Sequence, residues 1–486
     1  MNPVNAFKPQ KFLLISVLGL IVFFAALFFN LRPFFSLARD QLMFLEAGKL
    51  ILNGDIPFRD FFEVNPPTVM YLAALVQWFS GLIGISPVLL NQFIVYLYFG
   101  FSIWLSSQNR FSESRRLPVL LFLVFLNQVF LTSTGQRDQL FYIAVANALL
   151  FSISKWQHHR FFKFTFIQFP VMVFSAFKPF FILHWINIPT FKLSNHSGRK
   201  NFLLGLGFVL LLNLAFINYW IYFFSFLIKY NYSFQVRFSE VSLHNIFYVS
   251  FAACYCVIQT PSLRSLNTFR KNILYSLILS VGIYFLQNKH FNYHTVGIEM
   301  FLALNLFFMK KSKVRRIWIV GFAFLFALNM GNNFRNAYLS DKTRRFQSIS
   351  YTLKNILKTH TKPTDFVLPI SIETWVDYPL LADLKLINSS RYLHQYNVIY
   401  FANQINPSPT VKADEAQYLK ELSDSISVNR PVVVYFVNTS YVDFLSGKTL
   451  LEYLTQTGII ARLSENYKEM KSENDIFYFV RNDRLK

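Results

Sequence analysis

Long apolar runs separated by short polar loops fill the first two thirds of the chain. The runs cover 12–29, 88–106, 117–131, 140–153, 164–177, 180–188, 202–224, 246–258, 273–286, 296–309 and 317–330. With flanking residues added, each predicts a helix of about 20 residues, the length that crosses a hydrocarbon core. The exception is the pair 164–177 and 180–188, broken at Lys178-Pro179, where proline removes an amide donor and pushes the preceding residue out of the helical region. A further segment, "TVMYLAALVQWFSGLIGI" over 68–85, is short and rich in glycine and aromatics. It reads as an interfacial or re-entrant helix.

Past Met330 the pattern changes. "DFVLPIS", "PVVVYFVN" and "IFYFVR" have the short apolar form of strands. "VKADEAQYLKELSDSI" and "FLSGKTLLEYLTQTG" have helical periodicity, the second ending at Gly458. The pattern therefore predicts a polytopic α-helical membrane domain over 1–335, with about 11 spans and a first outer loop over 31–87, followed by a small α/β domain over 340–486. No internal repeat is evident.

Charge orients this scheme. The formal net charge of +22 could suggest nucleic acid, but its distribution points elsewhere. Lys and Arg gather in "RFSESRR", "KWQHHRFFK", "FKLSNHSGRK", "RSLNTFRK" and "KKSKVRR", every second loop. That is the positive-inside pattern, with membrane lipids and not nucleic acid as the partner. It places the N-terminus in the cytoplasm, the first run as an uncleaved span, and the C-terminal domain outside the inner (cytoplasmic) membrane. The alternation holds only if 68–85 does not span. Acids are scarce before Ser340: nine of 25, namely Asp40, Glu46, Asp55, Asp60, Glu63, Glu113, Asp138, Glu240 and Glu299. Seven of these nine fall on the outer side in this topology, and Glu299 lies inside a span, where an ionisable group is costly. The two cysteines, Cys254 and Cys256, are two residues apart on one helix and point in different directions, which suits neither a disulfide nor a metal pair.

Several residues could carry chemistry. Asp40 starts a helical pattern just beyond the first span. It reads either as an acid favoured by a helix N-terminus or as a general base at the outer surface. Asp138 sits at the edge of the third span, and "RDQL" occurs at both places, so that Arg39 precedes Asp40 and Arg137 precedes Asp138. Two such carboxylates could hold a divalent metal or polarise a hydroxyl. Asp55 and Asp60, in "NGDIPFRDF", read as turn chemistry set by Gly54 and Pro57. Lys289, His290, Tyr293 and His294 cluster at an outer edge. Zinc is disfavoured there, since the glutamate of the HExxH pattern is absent. Phosphate binding by these cations or a solvated loop are the two open readings. Lys178 is a further cation, read more readily as an interfacial anchor. Phosphate-loop and GxSxG motifs are absent, against a nucleotide-driven pump or serine hydrolase.

These residues, in this order, resemble the GT-C glycosyltransferases, membrane enzymes that use polyprenyl-phosphate sugars and include protein O-mannosyltransferases and aminoarabinose transferases. The likeness lies in a first span followed by Asp40, an outer loop ending in "FFEVNPPTVMYLAAL", Asp138 two spans later, the late "KHFNYH" and an exported α/β domain. It covers most of the membrane part. The resemblance implies inverting transfer of a sugar from a polyprenyl-phosphate donor to a lipid, glycan or protein acceptor on the outer face. Asp40 and Asp138 would be the catalytic acids. Arg39, Glu63, Asn65, Arg137, Lys178, Lys289, His290, Tyr293 and His294 would contact substrate or lipid phosphate. Asn65 stands where some relatives have lysine, so Lys289, His290 and His294 would supply that charge. No cofactor is required. A divalent Mg or Mn is the other option, and Asp40 and Asp138 would be its ligands. The competing readings are a transporter or flippase of lipid-linked glycans, and a polymerase or ligase of the same substrates.

Overall fold

The structure is a computed structural model. It describes residues 39–63, 65–109, 116–130, 135–194, 196–224, 243–287, 292–310, 312–338, 341–370, 374–393, 395–402, 404, 406–438, 449–473 and 475–485. The predicted first span and the cytoplasmic loop at 110–115 lie outside these residues. The chain is mostly helical, with one small sheet. It forms two compact units: 1–38, 88–215 and 236–338 make the first, and 39–87, 216–235 and 339–486 make the second.

In the first unit the apolar runs form the helices Pro87–Ser107, Leu117–Phe130, Arg137–Phe151, Leu243–Gln259, Thr268–Gln287, Val296–Phe308 and Lys313–Tyr338. Among the described residues three helical stretches are long and apolar enough to cross a membrane: Pro87–Ser107, Thr268–Gln287 and Lys313–Asn333. Leu117–Gln128, Asn245–Gln259 and Val296–Phe308 are apolar but shorter. The run at 202–224 is interrupted, with helix His196–Leu214 followed by Ile217–Tyr222. The break at Lys178-Pro179 is real: helix Phe169–Ser175 ends, Lys178 is extended, and a 3-10 helix runs Pro179–Asn187. Helices Arg137–Phe151 and Val296–Phe308 are the most deeply buried, the first along its whole length. Gly297 lets them meet: a Cβ there would lie 2.5 Å from the ring of Tyr142. Neither cysteine forms a disulfide.

The second unit joins an early part of the chain to its C-terminal part. Arg39–Pro87 clusters with the C-terminal segment, and it holds two helices, Arg39–Leu52 and Thr68–Ile83. The reason is pairing with the sheet region. Phe62 N–H donates to Arg391 O (2.7 Å) and Leu393 N–H returns a bond to Phe62 O (3.0 Å). Lys49 Nζ donates to Leu386 O at 2.8 Å. The sheet itself has the order β2-β1-β3-β5-β4, where β1 is Phe366–Pro369, β2 Ile387–Asn388, β3 Val433–Val437, β4 Tyr467–Glu473 and β5 Ile476–Arg481. β2 and β3 flank β1 in parallel, and β5 pairs antiparallel with β3 and β4. The central strand β3, "VVYFV", is buried at every position, as a strand covered on both faces must be. The charged β4, "YKEMKSE", lies at the edge, where charge discourages further pairing.

Two close fits in this unit are testable. A Cβ on Gly48 would lie 2.5 Å from the Ala74 backbone nitrogen, so the helices Arg39–Leu52 and Thr68–Ile83 meet backbone to side-chain void. Ala has the better helix propensity by about 1 kcal/mol, but backbone atoms cannot step aside, and overpacking costs about 1–3 kcal/mol. Gly48→Ala should therefore lower the thermal midpoint of the purified protein. Glu46 is 5% exposed, accepts from Asn388 N–H at 3.4 Å and lies 4.0 Å from Lys49 Nζ. Burial pushes its pKa up, and Lys49 and the Asn388 amide oppose this only in part. A raised carboxyl pKa favours folding below the unfolded value of 4.5, and that contribution is lost as pH rises through the folded value. Glu46→Gln should thus raise the melting temperature at pH 7–8, with the gain vanishing below about pH 4.

Candidate functional site

Both copies of "RDQL" open a helix, Arg39–Leu52 in the second unit and Arg137–Phe151 in the first. Each puts its aspartate in the first turn, where unpaired backbone N–H groups favour negative charge. Their surroundings then diverge. Asp40 is half-buried. Asp138 has no exposed surface, and a carboxylate so placed requires a charged partner and further hydrogen bonds.

Lys178 is that partner. Its Nζ lies 2.6 Å from Asp138 Oδ2 and donates also to Gln287 Oε1 at 3.0 Å. Gln287 Nε2 closes the triangle, 3.4 Å from Asp138 Oδ1. Three separate chain segments thus meet at one carboxylate. The lysine is delivered by the helix break: at φ −150°, ψ 116° its backbone is extended, and Pro179 cannot continue the preceding helix. The ammonium also lies 5.8 and 5.7 Å from the ring centroids of Phe180 and Phe181. Arg137 and His294, both buried, are near enough to act electrostatically on Asp138. Lys178 is thus part-buried, with its ammonium held between a carboxylate and an amide oxygen.

The other candidates have their own surroundings. Glu63 is buried and accepts from the Asn65 backbone N–H and from Asn65 Nδ2 (2.7 Å), so the two residues close the turn before the Pro-Pro step on itself. Both belong to the second unit, with Arg39 and Asp40. Tyr293 and His294 lie in a 3-10 turn, Asn292–Thr295. Lys289 and His290 lie outside the described residues, and so does any pairing of His290 with His294.

Sequence reasoning missed Gln287 and the amides that accompany it. Gln139 Nε2 donates to Gln128 Oε1 at 2.9 Å, and Gly135 N–H donates to Gln139 Oε1 at 2.7 Å. Next to Gln128, Asn127 Nδ2 donates to Glu299 Oε2 at 3.0 Å, and Asn333 Nδ2 reaches Asn127 Oδ1 at 3.3 Å. The available signal was a set of amides inside otherwise apolar helices, which demand partners in a dry interior.

Chemically, the Asp138 group sets one carboxylate against the ammonium of Lys178 and the guanidinium of Arg137. Lys178 occupies Oδ2, with Arg137 and His294 nearby. Such surroundings suit an anion and do not fit Mg or Mn at this carboxylate. Among the described residues no group of three or more His, Cys, Asp or Glu side chains is placed to hold a metal ion.

Removing one partner from a buried ion pair leaves an uncompensated charge and costs about 3–5 kcal/mol. Lys178→Met and Asp138→Asn should each lower the thermal midpoint of the detergent-purified protein. The double variant should recover much of the loss, and additive losses would show that the two groups do not interact.

Comparison with models of known protein families finds none that matches this chain, and no curated protein matches it either.

Proposed function

We propose that the chain is a polytopic inner-membrane glycosyltransferase of the GT-C type, with about 11 spans and an extracytoplasmic second unit, that transfers a sugar from polyprenyl phosphate to a lipid, glycan or protein acceptor. The observation that carries this reading is the buried carboxylate of Asp138, met by the part-buried Lys178 and Gln287, with Arg137 and His294 beside it. A carboxylate, an ammonium and a guanidinium gathered in one place match the needs of such a transfer. The acceptor hydroxyl attacks the anomeric carbon as the bond from that carbon to the phosphate oxygen breaks. The electron pair leaves with the phosphate, and the hydroxyl proton passes to a carboxylate. Lys178, released from Asp138 by an arriving phosphate, would neutralise the leaving group. Asp138 would then be free to hold the acceptor or sugar hydroxyls. Asp40, at the start of its own helix, keeps the role of base that the resemblance assigns to it. In this reading no metal is needed at Asp138, because its charge is already met by lysine.

A transporter of lipid-linked glycans is the second reading. Glu299 favours it: fully buried in an apolar helix, it is a carboxyl group that the transfer chemistry does not use. Labelled polyprenyl-phosphate sugar supplied to membranes separates the two, since a transferase labels an acceptor and a transporter only moves the donor. Loss of one preorganised charge contact costs about 2.7–4 kcal/mol in the transition state. Asp40→Asn and Asp138→Asn should therefore each reduce transfer about a hundredfold or more, at equal amounts of folded protein. Full transfer by both variants would overturn the mechanism.

A further inference from the structure

The second unit contains a cleft of about 520 Å³ that the proposed chemistry leaves unused. That volume lies within the ~300–1,000 Å³ usual for small-molecule sites. Its walls come from distant parts of the chain: the turn after helix Arg39–Leu52, the residues that follow β2, and helix Pro409–Ser427. All belong to one unit.

The lining mixes apolar side chains with polar ones, and its charged residues are mostly acids. Asp55, Asp60, Glu421 and Asp424 line it together with one guanidinium, Arg391. Two of these carboxylates are already engaged. Asp60 accepts from Arg59 at 2.9 and 2.7 Å and from Ile56 N–H at 2.8 Å. Glu421 lies 3.1 Å from Arg391 and accepts from Gln417 at 2.7 Å. Among the described residues the Asp55 and Asp424 carboxylates have no hydrogen-bond partner. Burial and the nearby charge of Asp60 push the Asp55 pKa up, the condition of a carboxylate that lacks a donor. Asn388, 4% exposed, adds a side-chain amide. Asn53, Asn429 and Ser390 also line the cleft, and Phe366, 42% exposed, adds an aromatic face.

Planar carboxylates and amides can each meet two neighbouring hydroxyls, and every sugar hydroxyl both donates and accepts. An aromatic face suits the apolar C–H side of a pyranose ring. The acid excess repels phosphate, sulfate and uronic-acid ligands and favours a ligand that is neutral or carries an amine. We infer that this cleft binds a glycan, neutral or amine-bearing, with Asp55 and Asp424 as the residues that set the preference against acidic sugars. Binding as such stands on the cleft alone. Its assignment as the place where a glycan acceptor is recognised rests on the transferase reading.

The test is direct binding to the full chain in detergent. The probes are a glucosamine tetrasaccharide, its N-acetylated counterpart and a galacturonic-acid tetrasaccharide. The first two should bind, the amine form more tightly at low salt, and the uronate should not. Asp55→Asn with Asp424→Asn should weaken the amine form about tenfold and narrow its advantage over the N-acetyl form. Asn53→Trp, at an exposed rim position, should block both ligands without touching the core. Equal binding of the uronate, unchanged affinities in these variants, or binding of a lysine-rich peptide but of no saccharide would each overturn the inference. Glycan binding by a protein that transfers no labelled sugar would leave the cleft in place and remove the transferase reading. Transfer to a glycan with an acceptor KM indifferent to all three substitutions would do the reverse.

Discussion

A charge taken out of water must find its counter-charge inside the same fold, and this constraint shapes the first unit around Asp138. The carboxylate lies at the start of a helix that is buried from end to end. Backbone N–H groups at that helix start favour it but cannot compensate it alone. The compensation dictates a defect elsewhere: a helix must stop so that Lys178 can extend toward the carboxylate, and Pro179 provides the stop. Gln287 then satisfies what remains of both groups. A helix break that looks like a flaw in a membrane segment is thus the means by which an ion pair is completed.

The second unit meets the same constraint with other chemistry. Its buried acids are held by amides, hydroxyls and guanidinium groups. Glu63 turns back on Asn65, Glu46 takes a backbone amide beside β2, and Glu421 gathers Arg391, Gln417 and the Tyr392 hydroxyl. Arg391 does double duty, since its guanidinium also lies 4.6 Å from the ring centroid of Phe62 and donates to the Arg59 carbonyl. The turn that carries Asp55 and Asp60 is pinned by these contacts and by Phe58, whose backbone takes φ 64° while its ring packs on Tyr219 and Tyr222. A residue with a bulky side chain holds that conformation only where its surroundings impose it.

Much of this was legible in the residues. Apolar periodicity located the helices of the first unit, and the break at Lys178-Pro179 followed from proline's missing donor. β1, β3 and β5 announced themselves as apolar runs, whereas β4 did not, because an edge strand can be charged and still pair on one side. The repeated "RDQL" marked two helix starts, but it could not reveal that one aspartate would be sealed and the other left at a half-buried position. That difference is made by residues far away in sequence. Lys178 stands 40 positions from Asp138 and Gln287 stands 149. The membership of Arg39–Pro87 in the second unit was hidden for the same reason. Its pairing partners lie beyond the whole span-rich region, and local pattern carries no information about them.

That separation bears on how the protein is made. Glu46 meets the Asn388 amide across 342 positions, and Lys49 meets the Leu386 carbonyl across 337. Translation at about 5–20 residues per second puts roughly 17–70 s between the synthesis of the helix Arg39–Leu52 and that of the strand it packs beside. During that interval the helix exists with a buried-type face, a glutamate without its backbone donor and a lysine without its carbonyl. The apolar segments of the first unit from 88 onward emerge in the meantime. The second unit is therefore the last part of the protein to become whole, although it contains some of the first residues made.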